Sequence, residues 1–215
     1  MRPGLCRAVL AVLALSVLPV GCGPKTPDYQ SIWTSTTKTT TSTEAPVPFA
    51  QYLESSGVTG EAVAPDKVAD LTVSIPTPRG WKPVDKPNIP PTTEAIGKDG
   101  NFPTAMLMAF KLNGDFDPTE LVKHGNSDAR LADNFKLLDE SGADFHGFPS
   151  SMIEGSYDLG GQRLHTYNRI VIATGPEPAR QHYMIQLSIT SLALQAAPDA
   201  ADIQAIIHGF TVAAK

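Results

Sequence analysis

From Gly23 to Lys215 the sequence contains no cysteine. Whatever folds there does so without a disulfide, a thiol nucleophile or a cysteine metal ligand, and apolar burial has to hold it. A body of about 150 residues buries roughly 70 % of its unfolded surface unaided, so the length suffices. The two cysteines that do exist, Cys6 and Cys22, lie in and just after an export signal. Arg2 and Arg7 precede the apolar run Ala8–Leu18, and Pro19-Val20-Gly21-Cys22 follows it. A charged start, a short apolar run and a small residue before the cut define a secretory signal peptide, here residues 1–21. The run falls short of the about 20 apolar residues that a spanning helix needs, which sets cleavage against the rival of an uncleaved anchor.

Gly21-Cys22 looks like a bacterial lipobox, in which the cysteine is acylated and becomes the first residue of the mature chain. Pro19 stands where a lipobox usually has leucine. The alternative is a soluble secreted protein with a lone thiol. A bridge from Cys22 to Cys6 would not survive removal of the signal. Two or more acyl chains on Cys22 would give stable membrane attachment. Loss of Arg2 and Arg7 takes the formal net charge from −5 to −7. So acidic a chain lacks the basic face that phosphate backbones require, and nucleic acid is excluded as a partner.

Residues 22–48 continue as a tether dense in Thr, Ser and Pro, in which Lys25, Asp28, Lys38 and Glu44 cancel. Such a composition cannot bury enough apolar surface to offset its ordering entropy, so disorder is expected. Fully extended it reaches about 90 Å, at about 3.5 Å per residue. Thr34–Thr43 would accept O-glycans, which would stiffen the spacer.

At Phe49 the composition turns globular, and residues 49–215 are expected to form one domain. Phe49–Glu54 reads as a short helix ending near Gly57. Leu71–Ile75 alternates as a strand that Pro76 stops. The six prolines of residues 76–91 predict a long extended loop around Trp81. Thr104–Leu112 is too short for a helix and reads as a buried strand. Asp117-Pro118-Thr119-Glu120 is a helix start, with Asp117 as cap, Pro118 in the first turn and Glu120 placed to close a capping box. Leu121, Ala129, Ala132 and Phe135 would give that helix its buried face, although Gly125 weakens it by about 1 kcal/mol. Strands over 150–157, 163–173 and 181–190 are separated by Gly160-Gly161 and Gly175–Pro178, both turn signals. Tyr183, Ile185, Leu187 and Ile189 share one strand face. Pro198-Asp199 opens a helix with Ile203, Ile206, Ile207 and Phe210 in an amphipathic stripe. An antiparallel meander with helices packed on it is an α+β sandwich.

No catalytic constellation emerges. His124, His146, His165, His182 and His208 lack metal-ligand spacing, although His165 and His182 fall on adjacent predicted strands. Asp115-Phe116-Asp117 lacks the glycine and the final glutamate spacing of a calcium loop. Ser150-Ser151 does not sit in a nucleophile elbow. No metal or cofactor is expected, and a Ser-His-carboxylate cluster assembled in space is the one route left to hydrolysis. The candidate ligand residues are apolar and aromatic. Met106 and Met108 share a strand face, with Met152 and Met184 on neighbouring strands, and methionine surfaces adapt to varied apolar ligands. Plain core filling is the other reading. Trp81, Tyr157 and Tyr167, with Arg163 and Arg169, would form a mouth suited to sugars and headgroups, or else Trp81 seals a sheet edge and the arginines balance carboxylates.

Gly21–Lys25 with the Thr-rich tether, Tyr52–Gly60, Leu71–Pro76, Phe148–Met152 and the ending Ala213–Lys215 are similar to blocks of the LpqN/LpqT family of mycobacterial lipoproteins. The resemblance runs over essentially the whole chain. It implies a Mog1/PsbP-like α/β/α sandwich, with an antiparallel sheet flanked by helices. It also implies export, lipidation at Cys22, and a role around the mycolate-rich envelope, where the LpqN branch is associated with trehalose glycolipids. It brings no catalytic residues. The leading expectation is a non-catalytic lipoprotein that handles an envelope glycolipid or assists a transport complex. The alternative is an interaction module docking envelope or host proteins without a small ligand.

Overall fold

The computed structural model describes residues 46–98 and 100–215. The expected signal peptide 1–21, Cys22 and nearly all of the expected tether lie outside the described residues. In chain order the elements are α1 (Phe49–Ser55), β1 (Thr59–Val63), β2 (Leu71–Ser74), β3 (Lys82–Pro83), β4 (Glu94–Gly97), β5 (Thr104–Asn113), α2 (Pro118–Val122) and α3 (Ser127–Arg130). There follow β6 (Lys136–Ser141), β7 (Ser150–Leu159), β8 (Gln162–Thr174), β9 (His182–Leu192), α4 (Ala196–Gly209) and β10 (Thr211–Ala214).

Long, apolar, β-branched strands set the architecture. The eight-stranded sheet runs β3-β4-β5-β9-β8-β7-β6, and β1 lies end to end with β4 along the same edge of β5. All of its pairings are antiparallel. The central strands are buried on both faces, which their continuous apolar runs require. On one face, Leu107, Tyr167, Val171, Tyr183, Ile185, Leu187 and Ile189 pack with Ile203 and Ile206 from α4, with Phe210 just past its end, and with the small β2–β10 sheet. On the other, Met108, Phe110, Ile170, Ile172 and Met184 pack under Phe49 and Leu53 of α1 and Leu121 and Val122 of α2. The antiparallel α+β expectation holds, with the two-stranded sheet sharing one face with α4.

Three expectations need correcting. The helix begun at Asp117 does not run to Phe135. Asp117 caps it, accepting from the Thr119 amide at 2.8 Å, but it ends at Val122, and α3 is a separate turn. Between them Gly125 sits on Ile170, where an added Cβ would stand 3.3 Å from that side chain. The break lets the chain follow the sheet surface, so Leu121 is buried while Ala129, Ala132 and Phe135 are half-buried. Glu120 closes no capping box and instead pairs with Lys123 at 2.6 Å. Finally, α4 begins at Ala196, ahead of Pro198. His165 and His182 lie far apart along the β8–β9 ladder, opposite Ser191 and Thr174 respectively. The edge strand β6 was not anticipated because it is exposed and carries no alternating apolar pattern.

Tyr183 ties β9 to the segment before β2 by donating to Asp70 Oδ2 at 2.9 Å. Burial, then that bond and the aspartate's charge, push its phenol from 10 up to about 12. The folded form therefore holds the proton more tightly than the unfolded chain. The associated stability is complete below about pH 10 and is lost as pH rises towards about 12. Denaturant midpoints should fall over that interval, and Tyr183→Phe should flatten the fall.

Candidate functional site

The apolar cover over the α1–α2 face stops partway along the sheet. Beyond Ile170 and Met184, side chains on the same face turn polar: Thr166 and Asn168 of β8 stand in register with Thr190 and Ser188 of β9, and Gln186 follows. These residues floor a cleft of about 400 Å³. Its walls come from Gly125, Asp128, Ala129, Leu131, Ala132 and Asp133 on one side and from Tyr157, Asp158 and Leu159 at the end of β7 on the other. The size falls within the range of small-ligand sites.

The floor is pre-arranged. Gln186 donates to Asn168 Oδ1 at 2.8 Å, which fixes both amides. Their remaining donors and acceptors, with three hydroxyls, present a neutral hydrogen-bonding surface. Burial raises the Tyr157 phenol against an opposing bond with Thr190, so this ring is a neutral donor and apolar wall at physiological pH. Asp158 is held below the usual carboxylate range by hydrogen bonds from Asn134 and Arg163. Asn134, at φ 51°, reaches the left-handed region that asparagine tolerates, and its amide meets Asp158 Oδ2 at 2.8 Å. Asp128 accepts from the Phe49 amide at 3.2 Å, and burial raises its pKa despite that bond. The first residue of α1 is thus pinned to the cleft wall.

Of the residues singled out from sequence, Tyr157 lines this cleft. Met106 stands opposite Ser188 on the same face and borders the floor. Met108 and Met184 are buried beneath α1 and α2. Met152 is on the other face, so the four methionines do not form one lining. Tyr167 and Trp81 also belong to the α4 face, and the expected mouth of Trp81, Tyr157 and Tyr167 is not assembled. Arg169 donates to Tyr167 Oη and Ser150 Oγ. Arg163 is spent on Asp158, Ser156 and the Asn134 carbonyl. Trp81 is buried and donates to Asp202 Oδ2 at 3.1 Å, beside Lys98, which pairs with Asp199 and Asp202 at 2.9 and 2.7 Å.

The floor residues were missed because Thr, Asn, Ser and Gln in a strand read as ordinary alternation. Their signal is that the polar positions of β8 and β9 fall opposite one another where apolar ones are expected.

A Ser-His-carboxylate arrangement exists in outline. His165 Nε2 is 2.8 Å from Glu154 Oε1, and Ser191 is the cross-strand partner of His165. The Ser191 hydroxyl is sealed from solvent and has no hydrogen-bond partner, so no nucleophile–base pair is formed. Among the described residues no three His, Cys, Asp or Glu side chains converge as metal ligands.

A family model described as "Probable lipoprotein LpqN" matches residues 45–213. The lipoprotein LpqT of Mycobacterium tuberculosis (strain ATCC 25618 / H37Rv) is 60 % identical over 218 residues, covering 100 % of this chain and 96 % of its own. LpqT of Mycobacterium leprae (strain TN) is 59 % identical, covering 100 % and 99 %. Among solved structures, the crystal structure of LpqN, involved in cell envelope biogenesis of Mycobacterium tuberculosis, superposes with a TM-score of 0.65 at 19 % identity. It covers 76 % of this chain and 96 % of that one, which is a likeness of fold.

The Trp81 clamp and the cleft sit on opposite faces, so they separate experimentally. In a Trp33→Phe background, Asp202→Ala should red-shift the Trp81 emission and increase its quenching by acrylamide. Asn168→Ala should leave that emission unchanged.

Proposed function

Because the chain belongs to the LpqN lipoprotein family, we propose that it is a non-catalytic, lipid-anchored protein of the cell envelope whose cleft takes the sugar headgroup of a trehalose-linked glycolipid. The observation that carries this reading is the neutral polar floor of Thr166, Asn168, Gln186, Ser188 and Thr190 beneath an apolar rim. Sugars are bound by side-chain amides, hydroxyls and carboxylates around an aromatic or aliphatic wall, and an acyl chain needs an apolar exit. Asp128, Asp133 and Asp158 at the wall supply acceptors for sugar hydroxyls, and they disfavour a phosphorylated headgroup. LpqN, whose fold this chain shares, is a protein of envelope biogenesis. Acyl chains on Cys22 would hold the domain at the outer face of the membrane.

A second reading, docking of an envelope or host protein without a small ligand, is favoured by the exposed edge strand β6, whose backbone is available to add a strand.

Replacing Cys22 with Ala should shift the protein from the membrane fraction to the medium, and unchanged partition would remove the anchor. Calorimetric titration with a short-chain trehalose ester should show binding. Asn168→Ala or Gln186→Ala should weaken it about tenfold, equivalent to about 1.4 kcal/mol, whereas Met152→Leu on the opposite face should have no effect. Absence of binding, or equal binding by all variants, would contradict the headgroup reading. Crosslinks concentrated on β6 would then favour the second.

A further inference from the structure

Among the described residues, the large hydrophobic side chains that stand in solvent include one in the cleft wall and others on segments that adjoin the cleft along the chain or across the sheet. Leu131 lines it. Leu137 lies on β6 opposite Gly155, and Leu138 is the extra residue of a bulge beside it, 62 % exposed. Leu194, 96 % exposed, follows four residues after Thr190 of the floor, just past the end of β9. Val47 stands two residues before Phe49, whose amide is held by the cleft-wall Asp128. Single exposed leucines are ordinary, but several of them on the segments that adjoin one cleft mark an interaction surface.

Two further observations say what covers it. The chain that leads back to Cys22 enters the domain at this same end, since Asp128 both lines the cleft and grips the start of α1. The charges around the rim carry no basic excess. Arg130 is paired with Glu140 and Arg163 with Asp158, while Asp128, Asp133 and Asp139 outnumber the remaining Lys136. A surface of leucines without a polybasic patch suits uncharged lipid rather than a polyanion.

We infer that this leucine rim is a lipid-docking surface, which seats the cleft mouth directly on the outer leaflet to which Cys22 is anchored. The inference rests on the reading of Cys22 as the anchor and of the cleft as a headgroup site. A glycolipid would then enter the cleft headgroup-first while its acyl chains stayed in the leaflet beneath the rim.

The test uses the full chain purified from membranes and reconstituted in phosphatidylcholine vesicles. Nitroxide labels are placed at Leu131→Cys and Leu138→Cys, with Asp115→Cys, beyond the far end of β5, as reference. The body holds no competing cysteine. Power-saturation spectroscopy compares accessibility to oxygen with accessibility to a water-soluble nickel chelate. The oxygen-to-nickel ratio at 131 and 138 should exceed that at 115 by about threefold or more, as expected for side chains seated among acyl chains. It should hold between about 50 mM and about 500 mM salt, because no screened attraction is involved. Equal ratios at the three sites, or a ratio that collapses in salt, would overturn the docking surface. The trehalose-ester titration, run without vesicles, separates the two readings. Ester binding by a chain whose labels stay in water removes the docking surface alone, whereas labels in lipid without ester binding uphold docking and remove the headgroup site.

Discussion

The ladder formed by β5, β9 and β8 supports every other part of this molecule. Its register fixes two faces at once: odd-numbered side chains of β9 face α4, and even-numbered ones face the other side, where Met184 goes beneath α1 and α2 and Gln186, Ser188 and Thr190 floor the cleft. With no disulfide available, the two apolar clusters on these faces provide the adhesion, and a one-residue slip would exchange them. The cleft arises because the second cluster is shorter than the strands. Where α1 and α2 cease to cover β8 and β9, the side chains change from Ile170, Ile172 and Met184 to Asn168, Thr166 and Ser188. A polar floor on rigid, twice-bonded strands holds its donors in place better than a loop would.

The break between α2 and α3 makes the wall. A continuous helix after Asp117 would have lain straight across the sheet. Gly125 instead drops the backbone onto Ile170 and lets residues 127–133 form a raised side to the cleft. The short α3 also joins three regions, since Asp128 takes the Phe49 amide and Arg130 pairs with Glu140 of the edge strand. The start of the domain, the cleft wall and the exposed edge are therefore mechanically linked.

Much of the framework was legible in the sequence, and the reasons are local. Tyr183, Ile185, Leu187 and Ile189 alternate because their face is fully buried. Gly160 and Gly161 adopt the positive φ that a tight hairpin needs, and Asp117 caps as its position dictates. Weakly patterned pieces escaped. The strand β6 has no buried face to impose alternation, and β1, β4 and β10, unlike the equally short β2, carry no clean two-residue alternation of burial. The candidate site was harder to see, because methionine and aromatic content pointed to Met108, Met152, Met184, Trp81 and Tyr167, all of which serve the interior. Only Tyr157 and the bordering Met106 lead to the cleft. Its floor depends on cross-strand register, which a linear pattern does not contain.

The central claim is that the polar floor receives a sugar headgroup. Amide chemical-shift mapping of the isotopically labelled chain during titration with a soluble trehalose monoester tests it most directly. The account predicts perturbations confined to residues 125–133, 157–159, Thr166, Asn168, Gln186, Ser188 and Thr190. Shifts centred on Trp81, Tyr167 and Met152 across the sheet, or no shifts at saturating ester, would contradict it.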